Sequence, residues 1–356
     1  MKKLRTERLR VAALQRIMEE RNIEAFLVTQ RENVRYLTGF TGSSGSVLVA
    51  SGRPMLVTDF RYQIQARAEA TEVTVLVQKK DHFSAVKEAA RRLGADTLWF
   101  DDASLTIDRA KAFRKQGLRL KGIKDPVAEI RQRKDTVELA RIRSAIRRAE
   151  DSFRALKRFI KPGASERDLG FKLEMLIREQ GARRTAFDII VASGTNGAMP
   201  HASITDRRLR AGDLVTFDFG AEADGYYCDI TRTVCVGRPT SRQRSVHDLV
   251  LRAQDQAISA VKPGAPCAEL DRHARDVITQ AGHGKHFGHA TGHGIGLMVH
   301  EGPSLSALSK GVVEEGMVFT VEPGVYIPGW GGIRIEDMVH VTADGHRVMT
   351  SLPREL

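Results

Sequence analysis

Short apolar runs alternate with amphipathic stretches through the first part of the chain. The short runs, rich in β-branched and aromatic residues, lie at residues 25–30, 46–51, 54–59, 73–78 and 97–102. Stretches of helical character lie at residues 5–21, 61–70, 83–93 and 108–116. Alternating strands and helices are typical of layered α/β structures. The pattern therefore predicts an N-terminal α/β domain.

The pattern changes at the Asp-Pro sequence at 125–126, where a charged run leads into one long amphipathic stretch. Residues 134–160 carry apolar side chains at helical spacing, and the Lys-Pro-Gly sequence at 161–163 is a strong helix stop signal. We therefore expect two domains, at residues 1–127 and 128–356.

The second domain contains an internal repeat. IKPGASERDL (160–169) matches VKPGAPCAEL (261–270), and AGDLVTFD (211–218) resembles EGMVFTVE (315–322) at nearly the same offset. Each copy is predicted to contain a helix, a loop region and a hairpin. Two halves related by a pseudo-twofold axis would bring their hairpins together at the centre.

Asp218 and Asp229 stand in two β-favouring runs on either side of a polar turn at 223–225. In an antiparallel hairpin closed by that turn they would face each other, with Cβ atoms about 4.5–5.5 Å apart. Facing carboxylates in an apolar hairpin are destabilising unless a cation or a shared proton compensates them. A metal ion is the expectation here, and a solvated hairpin with incidental acids is the alternative.

Glu322 and Glu336 repeat this arrangement about a turn centred on Gly329. His293 lies between the two hairpins, in the glycine-rich sequence HATGHGIG. Four carboxylates and one imidazole suit Mn, Co, Fe or Zn in a two-metal site. The sequence therefore predicts a centre for two divalent ions, with Mn placed first.

Composition narrows the class of protein. The chain has 356 residues, 42% hydrophobic and 28% charged, as expected for a soluble protein of two domains. It has neither a long apolar run nor a signal-peptide core, so we expect a cytoplasmic protein without a membrane partner. The three cysteines form no CxxC and suit a reducing compartment.

Charge and glycine motifs argue against nucleic-acid and nucleotide ligands. The net charge of +12 is spread over helical stretches and interleaved with acids, so we expect no nucleic-acid partner. No G-x-G-x-x-G stands at a strand-to-helix turn, and the loop at 39–45, GFTGSSG, does not match a phosphate-cradling P-loop.

Several stretches of the chain resemble a known family, the creatinase, prolidase and aminopeptidase P family of pita-bread metallopeptidases. The stretches are SGTNGAMPHA (193–202), GDLVTFDFGAEADGYYCDITRT (212–233), HATGHGIGLMVHEGP (289–303), GMVFTVEPGVY (316–326) and GGIRIEDMV (331–339). The resemblance extends over essentially the full length. It implies a creatinase-like N-terminal α/β domain and an α+β pita-bread catalytic domain with the pseudo-twofold repeat.

The resemblance also implies the roles of the ligands. Asp229 and Glu336 would bridge two metal ions, Asp218 would complete one site, and His293 with Glu322 would complete the other. All five residue types are present, which argues against an inactive relative, and creatinase itself lacks the full set.

Two-metal chemistry then implies hydrolysis by a metal-bridged hydroxide. Glu322 is the expected general base. The resemblance implies that His201, His300 and His289 form hydrogen bonds with the scissile carbonyl or with the tetrahedral intermediate. Arg334, two residues before Glu336, is expected to orient a ligand carboxylate.

The expected activity is that of an Xaa-Pro aminopeptidase, which removes the N-terminal residue from peptides with proline in second position. The main alternative is an Xaa-Pro dipeptidase (prolidase). It ranks second because the segment after His300 offers no cation before Lys310 to bind a free carboxylate. A methionine aminopeptidase and a non-catalytic pita-bread binding protein are lesser alternatives. The resemblance also implies a homodimer.

Overall fold

The computed structural model describes residues 2–356, with the side chains of residues 6–356. The chain forms two compact units that divide after Arg131. The boundary expected at 127/128 falls inside a short helix, Pro126–Arg131. This helix belongs with the first unit because Glu129 accepts a hydrogen bond of 2.7 Å from the Arg21 guanidinium.

The first unit is a mixed sheet with helices around it. The strands are β1 (Phe26–Val28), β2 (Ser46–Val49), β3 (Met55–Thr58), β4 (Thr74–Val77), β5 (Thr97–Asp101) and β6 (Arg119–Ile123). The helices are α1 (Lys2–Glu20), α2 (Arg31–Thr38), α3 (Gln63–Glu69), α4 (His82–Arg92), α5 (Ile107–Lys115) and α6 (Pro126–Arg131). The strand order is β4-β3-β2-β1-β5-β6, and β2 runs antiparallel to both of its neighbours.

Each strand predicted in this unit is present within a residue or two of its expected position, because each apolar run contributes at least one buried residue to the sheet. The sequence pattern missed α2, α6 and β6. α2 is short, with a polar first turn. β6 is an edge strand whose residues are exposed or only partly buried, so it lacks the apolar run that marks a buried strand.

The second unit has two copies of a helix pair followed by antiparallel strands. The first copy contains α7 (Thr136–Leu156), α8 (Glu166–Glu179), β7 (Arg184–Thr185), β8 (Ile190–Ser193), β9 (Leu214–Phe219), β10 (Ala221–Ala223), β11 (Tyr226–Tyr227) and β12 (Ile230–Cys235). The second contains α9 (Ser241–Ser259), α10 (Cys267–Gln280), β13 (Gly292–Gly294), β14 (Glu301–Leu305), β15 (Val318–Val321), β16 (Gly324–Ile327), β17 (Gly331–Arg334), β18 (Asp337–Thr342) and β19 (Gly345–Val348). This repeated order of elements agrees with the internal sequence repeat.

The second hairpin has the register predicted from the sequence. Val321 pairs with Asp337 at the end of the β15–β18 ladder, and Gly324 pairs with Arg334 at the start of the β16–β17 ladder. Counting inward from both ladders places Glu322 opposite Glu336. The two acids therefore lie where the pairing is interrupted and their side chains are not confined to a regular ladder.

The first hairpin differs from the prediction by two residues in register. Asp218 pairs with Thr231 and not with Asp229. The turn itself is at Asp224 and Gly225, both of which have positive φ. Asp229 is displaced to a position diagonal to Asp218, next to a tight crossing at Gly220, where an added Cβ would stand 1.9 Å from the Cys228 carbonyl oxygen.

An extended apolar cluster supports the second half of this unit. It joins the inner faces of α9 and α10 to strands β15–β18 and includes Val250, Ala274, Phe319 and Ile333, none of them exposed. Within the described part of the chain, no helix combines the length and apolar character needed to span a bilayer.

Candidate metal centre

One cavity of about 550 Å³ in the second unit brings together all the residues singled out from the sequence. Its lining includes Asp218, Asp229, His293, Glu322, Glu336, His201, His289, His300 and Arg334. These residues come from both copies of the repeat. The pairing of the two hairpins across the repeat is what makes one site from them.

Two of the proposed ligands stand at the starts of strands. Asp229 and Glu336 each stand just before a strand, β12 and β18. The two segments are joined because the Glu336 amide donates to the Thr231 carbonyl at 3.1 Å, while the Thr231 hydroxyl donates to Glu336 Oε2 at 2.7 Å. Thr231 thus fixes a carboxylate of the second hairpin from a strand of the first.

His293 is oriented with one ring nitrogen toward the acids. Its Nδ1–H donates to the Gly294 carbonyl at 3.1 Å, because a carbonyl oxygen can only accept. Its Nε2 lies 3.4 Å from Glu322 Oε1 and 3.7 Å from Asp229 Oδ2. This tautomer leaves the Nε2 lone pair for a metal ion, the usual arrangement of a metal-binding histidine.

A close backbone approach holds His293 in this place. The residue before it, Gly292, lies against β15, and a Cβ there would stand 1.9 Å from the Thr320 carbonyl oxygen. The His293 amide donates to Thr320 Oγ1 at 3.1 Å. The strand carrying the imidazole can lie this close only with glycine at position 292.

The carboxylates are short of compensating partners. Burial and then the charge of Glu336 raise the pKa of Asp229 well above its usual range. Burial and then the charge of Glu322 do the same to the pKa of Glu336, and burial raises the pKa of Glu322 to about 7. Among the described residues, Asp218 Oδ1, Asp229 Oδ1 and Glu336 Oε1 are buried without a hydrogen-bond partner.

These orphaned oxygens fit divalent cations. Buried carboxylates are stable when they are paired or bound to metal, and here two buried and two partly buried carboxylates share the cavity lining with a single arginine. Atoms of Asp229, His293 and Glu336 lie within 4.8 Å of one another, a spacing that one metal ion can bridge. Oxygen ligands with one imidazole are the set that Mn, Co, Fe and Zn accept. The residues present therefore fit the predicted group.

Arg334 provides the positive charge in the cluster. It is buried, and its Nη2 donates to Asp218 Oδ2 at 2.7 Å while its Nε donates to the Thr231 hydroxyl at 3.0 Å. By donating to both residues, the Arg334 guanidinium orients Asp218 on one side and supports the Thr231–Glu336 contact on the other. The expectation that Arg334 orients a ligand carboxylate agrees with these contacts.

Tyr326 connects Arg334 to His289. The Tyr326 hydroxyl accepts a hydrogen bond of 2.8 Å from Arg334 Nη1 and lies 2.9 Å from His289 Nε2. His289 Nδ1–H donates to the Ala290 carbonyl at 2.8 Å, so its Nε2 must accept the hydroxyl proton. Burial lowers the pKa of His289 to about 4, which keeps the ring neutral, and raises the pKa of Tyr326 to about 12.

This chain of hydrogen bonds changes the interpretation of His289. Both of its ring nitrogens are engaged by the protein, so neither is available to a substrate carbonyl in this arrangement. The geometry favours His289 as a residue that positions Tyr326, whereas the sequence suggested direct contact with the substrate. His201 and His300 also line the cavity, and the His300 ring packs against that of His293 at 4.3 Å between centroids.

Sequence reasoning missed Tyr326 and Thr231, although both lie inside stretches that carry the resemblance. An aromatic or a threonine in a strand is normally a packing residue, so nothing in the local pattern marks either as polar support. Phe187 and Asp188, in the irregular segment before β8, also line the cavity and were not predicted. Only the fold brings that segment next to β9.

Comparison with known proteins agrees with this geometry. Residues 140–343 match metallopeptidase family M24, and residues 10–133 match the Creatinase/Prolidase N-terminal domain. An Xaa-Pro dipeptidase from Pyrococcus horikoshii is 36% identical over 95% of this chain and 96% of its own length.

Two solved structures are similar over nearly the whole chain. The Xaa-Pro dipeptidase from Bacillus anthracis has a TM-score of 0.96 at 38% identity and covers 98% of this chain and 99% of its own. The X-Pro aminopeptidase from Thermotoga maritima has a TM-score of 0.87 at 37% identity and covers 94% and 97%. With its catalytic region and its N-terminal region both matched, the chain belongs to metallopeptidase family M24 and has the fold of the prolidases.

Proposed function

We propose that this protein is a metal-dependent Xaa-Pro dipeptidase, which hydrolyses the bond before the proline of a dipeptide. The observation that carries the proposal is the set of four carboxylates, two buried and two partly buried, and one imidazole lining a cavity of about 550 Å³. A cavity of this volume suits a small substrate. Relatives named Xaa-Pro dipeptidase, at 35% and 36% identity over nearly their full length, support the choice of substrate.

This proposal reverses the preference drawn from the sequence for the longer-peptide enzyme. That preference depended on the lack of a cation in one segment after His300. The argument considered only neighbours in sequence, whereas the cavity is lined by residues from several segments of the chain, among them His201 and Arg334, so the lack of a cation in one segment does not decide the substrate. The similarity to the X-Pro aminopeptidase from Thermotoga maritima keeps that activity as the second candidate.

Asp218, Asp229, His293, Glu322 and Glu336 would hold two divalent ions, with Mn proposed first and Co, Fe or Zn as alternatives. Such ions lower the pKa of water and polarise the scissile carbonyl. Proline supplies no amide hydrogen to the bond, and its ring restricts the preceding residue. A site specialised for this bond must therefore recognise its shape.

The protein's own side chains would handle protons and charge. Glu322 would take the proton of the attacking water and deliver it to the prolyl nitrogen, which must leave as an amine. Its carboxylate is steadied by the Thr320 hydroxyl, which donates to Glu322 Oε1 at 3.1 Å. His201 and His300 would donate hydrogen bonds to the carbonyl oxygen as negative charge develops on it, a contribution of about 3 kcal/mol per donor.

We further propose that the protein is a cytoplasmic homodimer. Light scattering on the eluting peak of a sizing column tests the oligomeric state, and a species of one chain mass, 39.5 kDa, would contradict it.

The activity is tested by comparing hydrolysis of Ala-Pro with that of Ala-Pro-Ala by the protein loaded with Mn or Co. The proposal predicts cleavage of the dipeptide alone or with clear preference. Comparable or faster cleavage of the tripeptide would establish the aminopeptidase in its place. If neither peptide is cleaved by the metal-loaded protein, both proposals fail.

Dependence on the metal is tested with Asp229→Asn, which removes a ligand charge from the cluster. Bound metal, measured by elemental analysis, should fall together with activity. Asp224→Asn is the matched control, because Asp224 lies in the hairpin turn at positive φ, a conformation that asparagine also tolerates. Full activity of Asp229→Asn, or equal metal content in the two variants, would contradict the assignment.

A further inference from the structure

A second polar cavity lies within the N-terminal unit. It has a volume of about 260 Å³ and is lined by Arg31, Arg109, His82 and the glycine–serine loop at 42–45. Thr29, which follows β1 directly, forms part of its wall, and Arg109 lies on α5, which follows β5, the parallel neighbour of β1. Ligands of α/β sheets bind at this carboxyl edge of parallel strands.

The two arginines bring positive charge that the protein does not neutralise. Arg31 makes one hydrogen bond, from Nη2 to the Thr41 carbonyl at 3.3 Å. Within residues 6–356, whose side chains are described, the Arg109 guanidinium forms neither a hydrogen bond nor an ion pair. Arginines that line a cavity without a carboxylate partner are the usual recognition groups for phosphate and carboxylate ligands.

The two acids whose charges act on His82 are already engaged elsewhere. Asp59, whose charge acts on His82, is bound by the Arg61 guanidinium at 2.9 Å. Asp81 caps α4 by accepting from the Ser84 amide at 2.9 Å. Neither acid is therefore free to neutralise Arg31 or Arg109, and two positive charges remain for a ligand.

Backbone groups complete the lining. α2 begins at Arg31, and its N-cap residue, Gln30, makes no side-chain cap hydrogen bond, so the positive end of the helix stands beside the cavity. The loop lines the cavity with backbone at Gly42, where a side chain does not fit because a Cβ would stand 2.2 Å from the Phe40 ring. The serine hydroxyls of Ser43 and Ser44 are further polar groups at the wall.

We infer that this cavity binds a phosphoryl dianion, either free phosphate or the phosphate of a small phosphomonoester. Two uncompensated guanidinium groups match a double negative charge better than the single charge of a carboxylate. A volume of about 260 Å³ is just below that of cavities for drug-sized ligands and is too small for a nucleoside triphosphate. The lining residues all belong to the N-terminal unit, and none of them belongs to the metal centre.

Isothermal titration calorimetry of inorganic phosphate into the metal-loaded protein, at constant ionic strength, tests the inference. Saturable binding is expected, and Arg31→Gln and Arg109→Gln should each weaken it about tenfold or more. Arg114→Gln is the matched control because it removes the same charge from the exposed last turn of α5. Unchanged thermal unfolding of the variants in phosphate-free buffer would show that they are folded.

The arms of the experiment separate the possible outcomes. Tighter binding of glycerol phosphate than of phosphate would identify a phosphomonoester site, and equal binding would identify a free-phosphate site. Phosphate binding that survives in the Arg31→Gln Arg109→Gln double variant would overturn the inference, as would binding that disappears on chelation of the metal. The test does not require hydrolysis, so it is independent of the proposed activity.

Discussion

Replacing Tyr326 by phenylalanine tests the hydrogen-bonded support of the metal centre. The change removes only the hydroxyl that accepts from Arg334 at 2.8 Å and donates to His289 at 2.9 Å. A hydrogen bond to a charged group contributes about 1.5–3 kcal/mol and a neutral one about 0.5–1.5 kcal/mol, so we expect a loss of about 2–4 kcal/mol in the free energy of unfolding. Arg334 keeps its contact with Asp218, so the metal ligands should be loosened and not lost.

Loosening of such support typically costs about 10- to 100-fold in activity or metal affinity. The assay is kcat/KM for Ala-Pro at saturating metal, together with urea unfolding. Tyr226→Phe is the matched control, because Tyr226 is as deeply buried and donates to Glu138 Oε1 at 3.0 Å, away from the cavity. If the two variants retain the same kcat/KM, Tyr326 has no role in positioning the site and the reasoning is refuted.

Two further variants test the packing of the site and the pH dependence of stability. Gly292→Ala should lower both the metal content and the melting temperature, because its Cβ would stand 1.9 Å from the Thr320 carbonyl oxygen. Gly288→Ala is the control, because a Cβ there has no neighbouring atom within 4 Å. Equal melting temperatures for the two variants would contradict the expectation. Burial lowers the pKa of His82 from 6.5 to about 4, so its contribution to stability is present above pH 6.5 and is lost as the pH falls toward 4. Urea unfolding across this window should show a shallower pH dependence for His82→Gln, and an unchanged slope would rule this out.

The second hairpin shows what sequence symmetry can predict. Glu322 and Glu336 are equidistant from Gly329, and the ladders on both sides of them keep one register, so the counting argument gives the right pairing. Sequence symmetry succeeds there because the turn is centred midway between the two acids. The site follows from that register and from the repeat.

The first hairpin shows where the same argument fails. The equal spacing of Asp218 and Asp229 suggested direct pairing, yet the turn lies one position later than their midpoint, at Asp224 and Gly225, and the ladders on both sides of Gly220 keep one register that pairs Asp218 with Thr231. An Asp-Gly pair is a strong signal for a two-residue hairpin turn, so the true register follows from the turn residues and not from the midpoint of the two acids. The acids still converge, because diagonal positions share a face of the hairpin.

The hydrogen bonds that support the site could not be predicted from sequence patterns. Thr231 and Tyr326 act across strands that are distant in the chain, and their roles depend on which carboxylate or guanidinium the fold places beside them. The sequence does not show which group the hydroxyl of a threonine or a tyrosine will contact. The resemblance identified the expected ligands, whereas the hydrogen bonds that orient them can be seen only in the three-dimensional structure.

The ligands of the proposed metal centre are spread from Asp218 to Glu336, and this spacing constrains the order of folding. Closing loops of such length costs entropy that a metal ion alone would have to offset in the unfolded chain, so we expect the ligands to converge only as the fold forms. The apolar cluster between the helices and strands β15–β18 includes Val321 and Ile335, the neighbours of Glu322 and Glu336, and so holds these two ligands in place. A metal ion that binds only the folded site would stabilise the fold by linkage, so metal supply would govern both the activity of the protein and its stability.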